Sequence, residues 1–295
     1  EELLGDMHPF EEVLALQRPN YVEEELKVGV RTLDVYLAPF SDHEQGGVLI
    51  VLHDMTEQHR NEERRKEFVA NVSHELRTPL TNVRSYAETL RDAAGDIPQE
   101  TSNNFLDIII TETDRMTHIV QELLTLSRLD AGDAELILSR FPFGEAIESV
   151  VRANALNAKQ RGHELTYIPQ ESLPLIVGDR SRLEQVMINV IGNAIKYTPP
   201  GSEIIIELKR KVKFVYVSVA DNGPGIPDEA KPHVFDMFYS ASNRVADSRR
   251  SLGLGLALCK SIIHAHNGEI TVAANEPHGA IFTFSVPAGE VELHE

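Results

Sequence analysis

The amino-acid sequence predicts a multi-domain α+β protein, in which a short antiparallel β segment precedes a long helical hairpin and an α/β sandwich. Three observations predict this fold class. Strand-like runs separated by turns come first, two long apolar stripes with helical spacing follow, and helix and strand patterns then alternate. A chain of 295 residues is long enough for about two or three domains. We place the boundaries at residues 1–56, 57–133 and 134–295.

The first segment holds three strand-like runs, "VEEELKVG", "RTLDVYLAPF" and "GGVLIVLHD", separated by Gly29 and by the polar turn "SDHEQGG". A helix is expected to follow at "HDMTEQ". Because three strands make only about half of a typical antiparallel sheet, we expect this segment to be the incomplete end of a domain in a longer protein.

The second segment is predicted to be a helical hairpin. Its first part, "EQHRNEERRKEF", mixes both signs of charge, which is typical of a solvated helix face, and "AAGDIP" separates the two helices. Apolar residues recur at steps of three and four, as one helical face requires; they are Phe68, Val72, Leu76, Leu80, Val83, Ala87 and Leu90, then Phe105, Ile109, Met116, Val120 and Leu123. Leu106, Ile110 and Leu124 widen the second stripe beyond what one helix covers, which predicts a dimeric four-helix bundle.

The third segment alternates helices and strands, which predicts helices layered on one face of a mixed sheet. Helices are expected at about residues 143–159, 180–197 and 253–266. Strands are expected at "HELTYI", "PLIVGD", "EIIIELK", "KFVYVSVAD", "EITVAA" and "AIFTFSV".

Composition argues against several classes of function. The formal net charge of −18 disfavours nucleic-acid binding, because phosphate is repelled. The single cysteine, Cys259, excludes an internal disulfide and a multi-cysteine metal site and fits a reducing compartment. The longest apolar runs are shorter than the roughly 18 residues of a membrane span. We therefore expect a soluble cytoplasmic fragment, with any membrane anchor in segments that precede it.

The stretch "NVSHELRTPL" holds the first candidate site. At about 100° per residue, His74 lies opposite the apolar stripe, Thr78 lies one turn further on the same side, and Glu75 lies between. A lone histidine is usually a satisfied core or capping residue, but here it faces solvent beside a carboxylate that could hold its tautomer or take its proton. Pro79 removes the hydrogen bond to the carbonyl of Glu75 and should bend the helix.

The first part of a second candidate site lies in "NVIGNAIKYT". Asn189, Asn193 and Lys196 share one face of the predicted helix. Amide oxygens suit Mg²⁺ and lysine suits phosphate. An ordinary exposed polar face is the alternative for these three residues.

Two glycine-containing stretches complete this second site. In "VADNGPGIP", Asp221 ends a strand and could accept a hydrogen bond from an exocyclic amine, while Gly223 and Gly225 allow the backbone to approach a flat ligand. The same residues also fit an ordinary turn. In "SLGLGLALCKSI", Gly253 and Gly255 open a helix whose N-terminus favours phosphate. The polar loop before this helix offers three arginines to phosphate groups: Arg244, Arg249 and Arg250.

Taken in order, these motifs resemble those of the sensor histidine kinases of two-component systems. "FVANVSHELRTPL" is similar to the H-box, "NVIGNAIKYT" to the N-box, "DNGPGI" to the first glycine box, "FDMFY" to the F-box and "GLGLAL" to the second glycine box. The match covers about residues 60–287. Residues 1–56, which end in "DMTE", resemble the C-terminal half of a PAS sensor domain. The resemblance implies a HisKA-type dimerisation and phosphotransfer hairpin, followed by a Bergerat-fold ATP-binding domain.

The resemblance also implies roles for the candidate residues. His74 would accept the γ-phosphoryl group of ATP, Glu75 would take its proton, and Thr78 matches the position that orients water for dephosphorylation of the partner. Asn189 would coordinate Mg²⁺ with help from Asn193. The remaining residues would contact the nucleotide or shape the pocket and its lid: Lys196, Tyr197, Asp221, Gly223, Gly225, Arg249, Arg250, Gly253, Leu254 and Gly255. The implied partners are a second copy of the chain, ATP with Mg²⁺, and the receiver domain of a response regulator.

The chain departs from the family pattern at three positions. Ser251 opens the second glycine box in place of glycine, Ser240 follows the F-box where many relatives have arginine, and Asn267 stands where a glycine is common. Two other functions stay open. A related Bergerat-fold ATPase would use a glutamate one turn before Asn189, where this chain has Gln185. A non-enzymatic scaffold would be expected to lack the histidine or a principal pocket residue.

Overall fold

The computed structural model describes residues 21–42, 45–93, 95–130, 136–170, 173–239 and 253–289, together with Val13 and Ala15. The chain divides into two compact units, residues 1–74 and 75–295. Within the described ranges, no helix combines the length and the apolar character that crossing a bilayer requires.

The first unit contains an antiparallel sheet of three strands, β1 (Val22–Val28), β2 (Arg31–Asp42) and β3 (Gln45–Asp54), in that spatial order. Val35 and Leu37 of β2 are buried on one face. In contrast, four consecutive apolar side chains of β3 are exposed: Leu49, Ile50, Val51 and Leu52. The described part of this sheet therefore buries few apolar side chains of its own.

The first helix, α1 (Thr56–Asp92), begins directly after β3 and is tied to β2. The backbone N–H of Thr32 donates to Thr56 Oγ1 at 3.0 Å, and the N–H of Met55 donates to the carbonyl of Thr32 at 2.9 Å. Asp54 Oδ1 accepts a bond from the N–H of Thr56 at 3.0 Å, which satisfies one of the free donors at the start of a helix.

The predicted helical hairpin is present. Helix α1 continues through Pro79 and pairs with α2 (Gln99–Asp130). The rings of Tyr86 and Phe105 lie 5.1 Å apart. Further towards the start of α1 and the end of α2, Asn82 Nδ2 donates to Glu112 Oε1 at 2.9 Å. Because later positions on α1 meet earlier positions on α2, the two helices are antiparallel.

The hairpin leaves much of its wide apolar stripe exposed. Leu106, Ile110 and Leu124, which widen the stripe in the sequence, are 46%, 58% and 55% exposed. Leu80 of α1 is exposed as well. A single chain therefore does not cover this surface.

The α/β region contains a mixed sheet of five strands: β5 (Glu164–Ile168), β7 (Glu203–Lys211), β8 (Phe214–Asp221), β9 (Ile270–Ala274) and β10 (Ala280–Pro287). Their spatial order is β5-β7-β8-β10-β9. Of the four strand pairs in this sheet, only β5–β7 is parallel. A separate pair, β4 (Ser139–Pro142) and β6 (Leu175–Gly178), is antiparallel. The sequence did not predict β4, because four residues carry too little alternation to be recognised.

Three helices pack with this sheet: α3 (Phe143–Gln160), α4 (Arg180–Tyr197) and α5 (Gly255–Ala265). Alternate residues of β7 and β8 are buried, as a strand covered on one face requires. The buried cluster joins strand and helix residues, among them Ile204, Ile206, Val217, Val219, Phe284, Ile147, Met187, Ile191, Leu258 and Ile262. The predicted fold class, an α/β sandwich after a helical hairpin, is confirmed.

Candidate functional site

The predicted phosphoacceptor lies on the exposed side of α1. His74 and Thr78 are both exposed and one turn apart, whereas Glu75 is half-buried. Glu75 Oε2 lies 3.8 Å from a guanidinium nitrogen of Arg115 on α2. The structure thus places the imidazole of His74 at the surface. The carboxylate of the next residue, Glu75, lies near an arginine of the facing helix.

Asp221 lies at the end of β8 and is buried. Its Oδ1 accepts hydrogen bonds from the backbone N–H groups of Gly223, at 2.9 Å, and of Ala280, at 3.3 Å. Burial raises the pKa of the Asp221 carboxyl, and the two backbone hydrogen bonds oppose that rise. An acceptor with limited access to water suits recognition of a single donor on a ligand.

Close packing around Asp221 explains the glycines. A Cβ atom on Gly223 would lie 2.6 Å from Thr198 Cγ2, and one on Gly225, where φ is 74°, would lie 3.0 Å from the carbonyl oxygen of Gly279. A Cβ atom on Gly279, where φ is 120°, would overlap the carbonyl oxygen of Asp221. Side chains at these positions would fill the space beside the carboxylate or strain the backbone.

One polar residue of α4, Asn189, faces the start of α5. Asn189 Nδ2 donates to the carbonyl of Gly255 at 3.3 Å. Asn193 and Lys196 are half-buried one and two turns further along, and Lys196 Nζ lies 5.1 Å from the centre of the Tyr197 ring. Because the amide nitrogen of Asn189 faces Gly255, its oxygen Oδ1 is the atom suited to a metal. An amide oxygen fits Mg²⁺, which binds through a few oxygen ligands and keeps several waters.

The segment before α5 is tied to the F-box. The N–H of Phe238 donates to the carbonyl of Gly253 at 3.0 Å, and a Cβ atom on Gly253, where φ is 66°, would lie 2.6 Å from the backbone of Phe238. Leu254 is buried and precedes the first residue of α5. The predicted lid residues Ser240, Arg244, Arg249, Arg250 and Ser251 lie outside the described residues.

Buried hydrogen bonds join the start of α4 to the end of α5. Asp179 caps α4 by accepting from the N–H of Arg182 at 3.2 Å, and it also accepts from the N–H of Ile137 at 3.1 Å. The N–H of Asp179 donates to His266 Nε2 at 2.9 Å, while His266 Nδ1 donates to the carbonyl of Ile262 at 2.8 Å. Burial acts to raise the pKa of Asp179, but the hydrogen bonds outweigh it and the pKa is lowered. These bonds set the position of α4 relative to α5.

The second half of α2 lies against α5. Arg182 of α4 donates to Thr125 Oγ1 of α2 at 3.4 Å. Glu122 of α2 is buried, which raises the pKa of its carboxyl, and burial raises the pKa of Cys259 on α5 to about 12. The hairpin therefore contacts the same helix that Gly255 opens.

One group of side chains in the first unit could hold a metal ion. Ligand atoms of Glu25, Asp34 and His59 all lie within 4.8 Å of one another. Glu25 and Asp34 are directly opposite in the β1–β2 pair, and His59 comes from the start of α1. The sequence did not indicate this group, because its members are separated along the chain and share no metal-binding spacing.

Sequence reasoning also missed residues that shape the two candidate sites. Asn275 Nδ2 donates to the carbonyl of Asp221 at 2.8 Å, Thr198 packs against Gly223, and Gly279 packs against Asp221. Gly279, the glycine in "PHGA", could have been recognised from the sequence, because it stands between a turn and a strand. Arg115 gave no local signal, because its contact depends on which helix faces it.

Two family descriptions match the chain. Residues 64–132 match the His Kinase A (phospho-acceptor) domain. Residues 178–290 match the family described as histidine kinase-, DNA gyrase B- and HSP90-like ATPase. The first range contains the predicted H-box and most of the hairpin, and the second contains the residues of the predicted nucleotide site.

Known proteins of similar sequence and structure are histidine kinases. The sensor histidine kinase WalK of Bacillus subtilis is 35% identical over 246 residues, which are 83% of this chain and 40% of WalK. The chain thus spans about 40% of the length of this relative. The structure of Acinetobacter baumannii histidine kinase AdeS matches with a TM-score of 0.60 and 27% identity, over 74% of this chain and 98% of AdeS.

A third match is histidine kinase ThkA in complex with response regulator protein TrrA, with a TM-score of 0.59 and 28% identity, over 91% of this chain and 78% of ThkA. The match extends across the hairpin and the ATPase-like domain in one alignment. Together with the two family matches, these relatives show that the chain belongs to the sensor histidine kinases of two-component systems.

Proposed function

We propose that this chain is the catalytic part of an ATP-dependent protein-histidine kinase, which transfers the γ-phosphoryl group of ATP to its own His74. The observation that carries the proposal is the exposed imidazole of His74, followed directly by the half-buried carboxylate of Glu75, in a chain that also packs glycines closely around the buried carboxylate of Asp221. The match of residues 64–132 to a phospho-acceptor domain supports His74 as the acceptor.

The chemical step would transfer the γ-phosphoryl group directly from ATP to the protein. A ring nitrogen of His74 attacks the γ-phosphorus of ATP and forms an N–P bond, while the bond from that phosphorus to the β,γ-bridging oxygen breaks. The electron pair of that bond leaves with ADP, and the imidazole proton passes to Glu75. Mg²⁺ bound with the nucleotide would neutralise charge on the phosphates, and the protein contributes mainly by positioning.

Asp221 would recognise the base of the nucleotide. Its carboxylate is oriented by the N–H groups of Gly223 and Ala280, and it would accept a hydrogen bond from the exocyclic amine of adenine. Gly223 and Gly225 would keep the wall beside the ring free of side chains.

The phosphates would lie between α4 and the start of α5. Asn189 would offer Oδ1 to the metal, and Asn193, one turn along, would support the metal and phosphates. Lys196 and Tyr197 would contact phosphate and nucleotide from the same helix. Gly253, Leu254 and Gly255 would shape the segment that approaches the phosphates, and Arg249 and Arg250 are proposed as lid residues.

The phosphoryl group would then pass from His74 to an aspartate in the receiver domain of a response regulator. A relative of similar fold is known in complex with a response regulator, and the exposure of His74 and Thr78 would allow such access. Thr78 would orient water when the phosphorylated partner is dephosphorylated. We also propose that two copies form the four-helix bundle and that this part acts in the cytoplasm, where ATP is available.

Hydrolysis of ATP by a water molecule fits the chain less well. The residue one turn before Asn189 is Gln185, an amide that cannot serve as a general base. Its Oε1 accepts a hydrogen bond from Arg182 at 3.2 Å. A kinase whose nucleophile comes from the hairpin does not need a base at this position.

The test is incubation of the chain with ATP labelled at the γ-phosphate. We expect a labelled protein whose phosphoryl group is lost in acid and retained in alkali, as phosphohistidine requires. His74→Gln should abolish the label. His118→Gln, which removes an exposed histidine from the other helix of the hairpin, should retain it. Label that survives in His74→Gln, or that is stable in acid, would contradict the proposal.

The metal assignment is tested separately. Asn189→Ala should reduce labelling by at least about 100-fold, because phosphoryl transfer depends on charge neutralisation at the phosphates. The variant should remain folded by circular dichroism. Labelling at the wild-type rate would show that Asn189 does not hold the metal.

A further inference from the structure

We propose that Cys259 is a positioning residue for Asn189, and that its thiol helps to hold the Asn189 amide with the oxygen Oδ1 turned towards the metal of the nucleotide. This inference rests on the proposed function, in which Asn189 is the metal ligand. It assigns a part in metal binding to the single cysteine of the chain, a fully buried residue of α5.

The Asn189 side chain has two hydrogen-bond partners on α5. Its Nδ2 donates to the carbonyl of Gly255 at 3.3 Å. Burial raises the pKa of the Cys259 thiol, and a hydrogen bond with the Asn189 side chain acts to lower it. Since a donor beside the sulfur is what lowers a thiol pKa, the amide N–H is the group that faces Cys259. Gly255 and Cys259 are four residues apart, so the two acceptors lie on the same face of α5.

The thiol of Cys259 is also bonded to the backbone of α4. Its Sγ donates to the carbonyl of Val186 at 3.8 Å, and Val186 lies three residues before Asn189 on the same helix. Because burial raises the pKa of the thiol to about 12, the sulfur keeps its proton at neutral pH and remains able to donate. One neutral thiol therefore donates to the backbone of α4 and accepts from an α4 side chain.

These contacts select one orientation of the Asn189 amide. An asparagine side chain carries two N–H donors on its nitrogen and an acceptor on the other side. With Nδ2 bonded to the Gly255 carbonyl and the Cys259 sulfur, Oδ1 points away from α5. Turning the amide over would place Oδ1 against the Gly255 carbonyl, where two acceptors repel each other and both hydrogen bonds are lost. The oxygen is thus presented to a cation before the cation arrives.

A space-filling role is the alternative for Cys259, because a buried free cysteine usually behaves as a small apolar residue. Two observations favour positioning. The sulfur contacts polar groups of α4 at two points, and one of these groups belongs to Asn189. In proteins, the groups that orient a metal ligand typically change metal affinity or activity by about 10–100-fold when they are removed. The two roles make different predictions for metal dependence.

The first experiment measures the labelling rate of the full chain at saturating γ-labelled ATP as the Mg²⁺ concentration is varied. Cys259→Ala should raise the Mg²⁺ concentration for half-maximal labelling by at least about 10-fold, because the amide is no longer held in one orientation. Ile262→Val also removes one buried heavy atom from α5 and is the matched control, which should keep the wild-type Mg²⁺ dependence. An unchanged Mg²⁺ dependence in Cys259→Ala would overturn the inference.

The second experiment does not depend on catalysis. Calorimetry would measure the affinity for a non-hydrolysable ATP analogue, once with Mg²⁺ and once with EDTA. Cys259→Ala should weaken binding in Mg²⁺ and leave binding in EDTA unchanged, because recognition of the base does not involve this thiol. Equal weakening in both conditions would show that Cys259 serves only the packing of the pocket, and the inference would then be wrong.

Two further replacements of Cys259 guard against a loss that comes from the cavity alone. Cys259→Val fills the space without a polar group and should weaken binding in Mg²⁺ as the alanine variant does. Cys259→Ser keeps a donor and an acceptor and should retain more of the Mg²⁺-dependent affinity than the valine variant does. A valine variant with wild-type affinity in Mg²⁺ would contradict the positioning role.

The double variant tests whether Cys259 acts through Asn189. Adding Cys259→Ala to Asn189→Ala should cause no further loss of affinity in Mg²⁺, because the group that the thiol positions is already absent. Losses that multiply would overturn the inference. If Asn189→Ala alone keeps the wild-type affinity in Mg²⁺, the proposed metal role of Asn189 fails as well. If Asn189→Ala loses that affinity while every Cys259 variant retains it, only the positioning role fails.

Discussion

The α/β sandwich and the helical hairpin bury their apolar residues in different ways. In the sandwich, Phe284 of β10 is 1% exposed and packs with helix residues of the same chain. In the hairpin, Ile110 of α2 is 58% exposed, although it belongs to the apolar stripe. The difference indicates that the sandwich completes its core within one chain, whereas the hairpin presents a surface that a second copy would cover.

The two regions also differ in the partners that their polar side chains contact. In the sandwich, buried Asp179 and Asp221 accept hydrogen bonds from backbone N–H groups two or three residues further along the chain. In the hairpin, Glu112 and Arg115 make contacts with side chains of the facing helix. Polar contacts between helices depend on helix register, so the hairpin sites are more sensitive to a shift of one helix along the other.

The largest expected effect tests the self-contained core. Phe284→Ala should lower the free energy of unfolding by about 3–5 kcal/mol, because it removes a large buried side chain and leaves a cavity. Thermal unfolding at two protein concentrations would measure it, and the loss should not depend on concentration. Leu156→Ala on α3, where the side chain is exposed, is the control and should change stability by less than about 0.5 kcal/mol. A small loss at Phe284 would mean that the sandwich core is not the main source of stability.

An intermediate effect tests the hairpin surface. Ile110→Ser should weaken self-association by about 1.5–3 kcal/mol per side chain buried in the proposed dimer, because an apolar contact is lost. Analytical ultracentrifugation would measure the dissociation constant, which should rise by at least about 10-fold. Leu156→Ser makes the same kind of change on an exposed surface of the sandwich and should leave self-association unaltered. A wild-type chain that stays monomeric at high concentration would contradict the comparison.

The smallest effect concerns a helix cap within the sandwich. Asp179→Ala should cost about 1 kcal/mol at neutral pH, as loss of an N-cap does. The pKa of Asp179 is lowered by folding, so its contribution is present above the unfolded value of about 3.9 and is lost as the pH falls through the lower folded value. Unfolding measured between pH 7 and pH 3 should show the difference between wild type and variant shrinking at the acid end. Asp107→Ala on the exposed face of α2 is the control, and a difference independent of pH would contradict the account.

Much of the sandwich could be predicted because its signals are local. Helix α4 begins at Arg180 and ends at Tyr197, as the sequence predicted, and the structure shows that Asp179 caps its start and that two prolines follow Thr198. The motifs around Asn189, Asp221 and Gly253 were visible because the residues of each motif lie within a few positions of one another in the sequence. Strand β4 was missed because it is short and pairs only with the distant β6.

The amino-acid sequence by itself determined the order of the segments, the exposure of His74 and the positions of the glycines after Asp221 and before α5, because helix periodicity, strand alternation and positive φ depend on nearby residues. The tertiary structure decided which residues meet across the chain: Arg115 with Glu75, Asn275 with Asp221, and Asp179 with His266. Such pairs depend on how elements far apart in sequence are packed, and no local pattern specifies that packing.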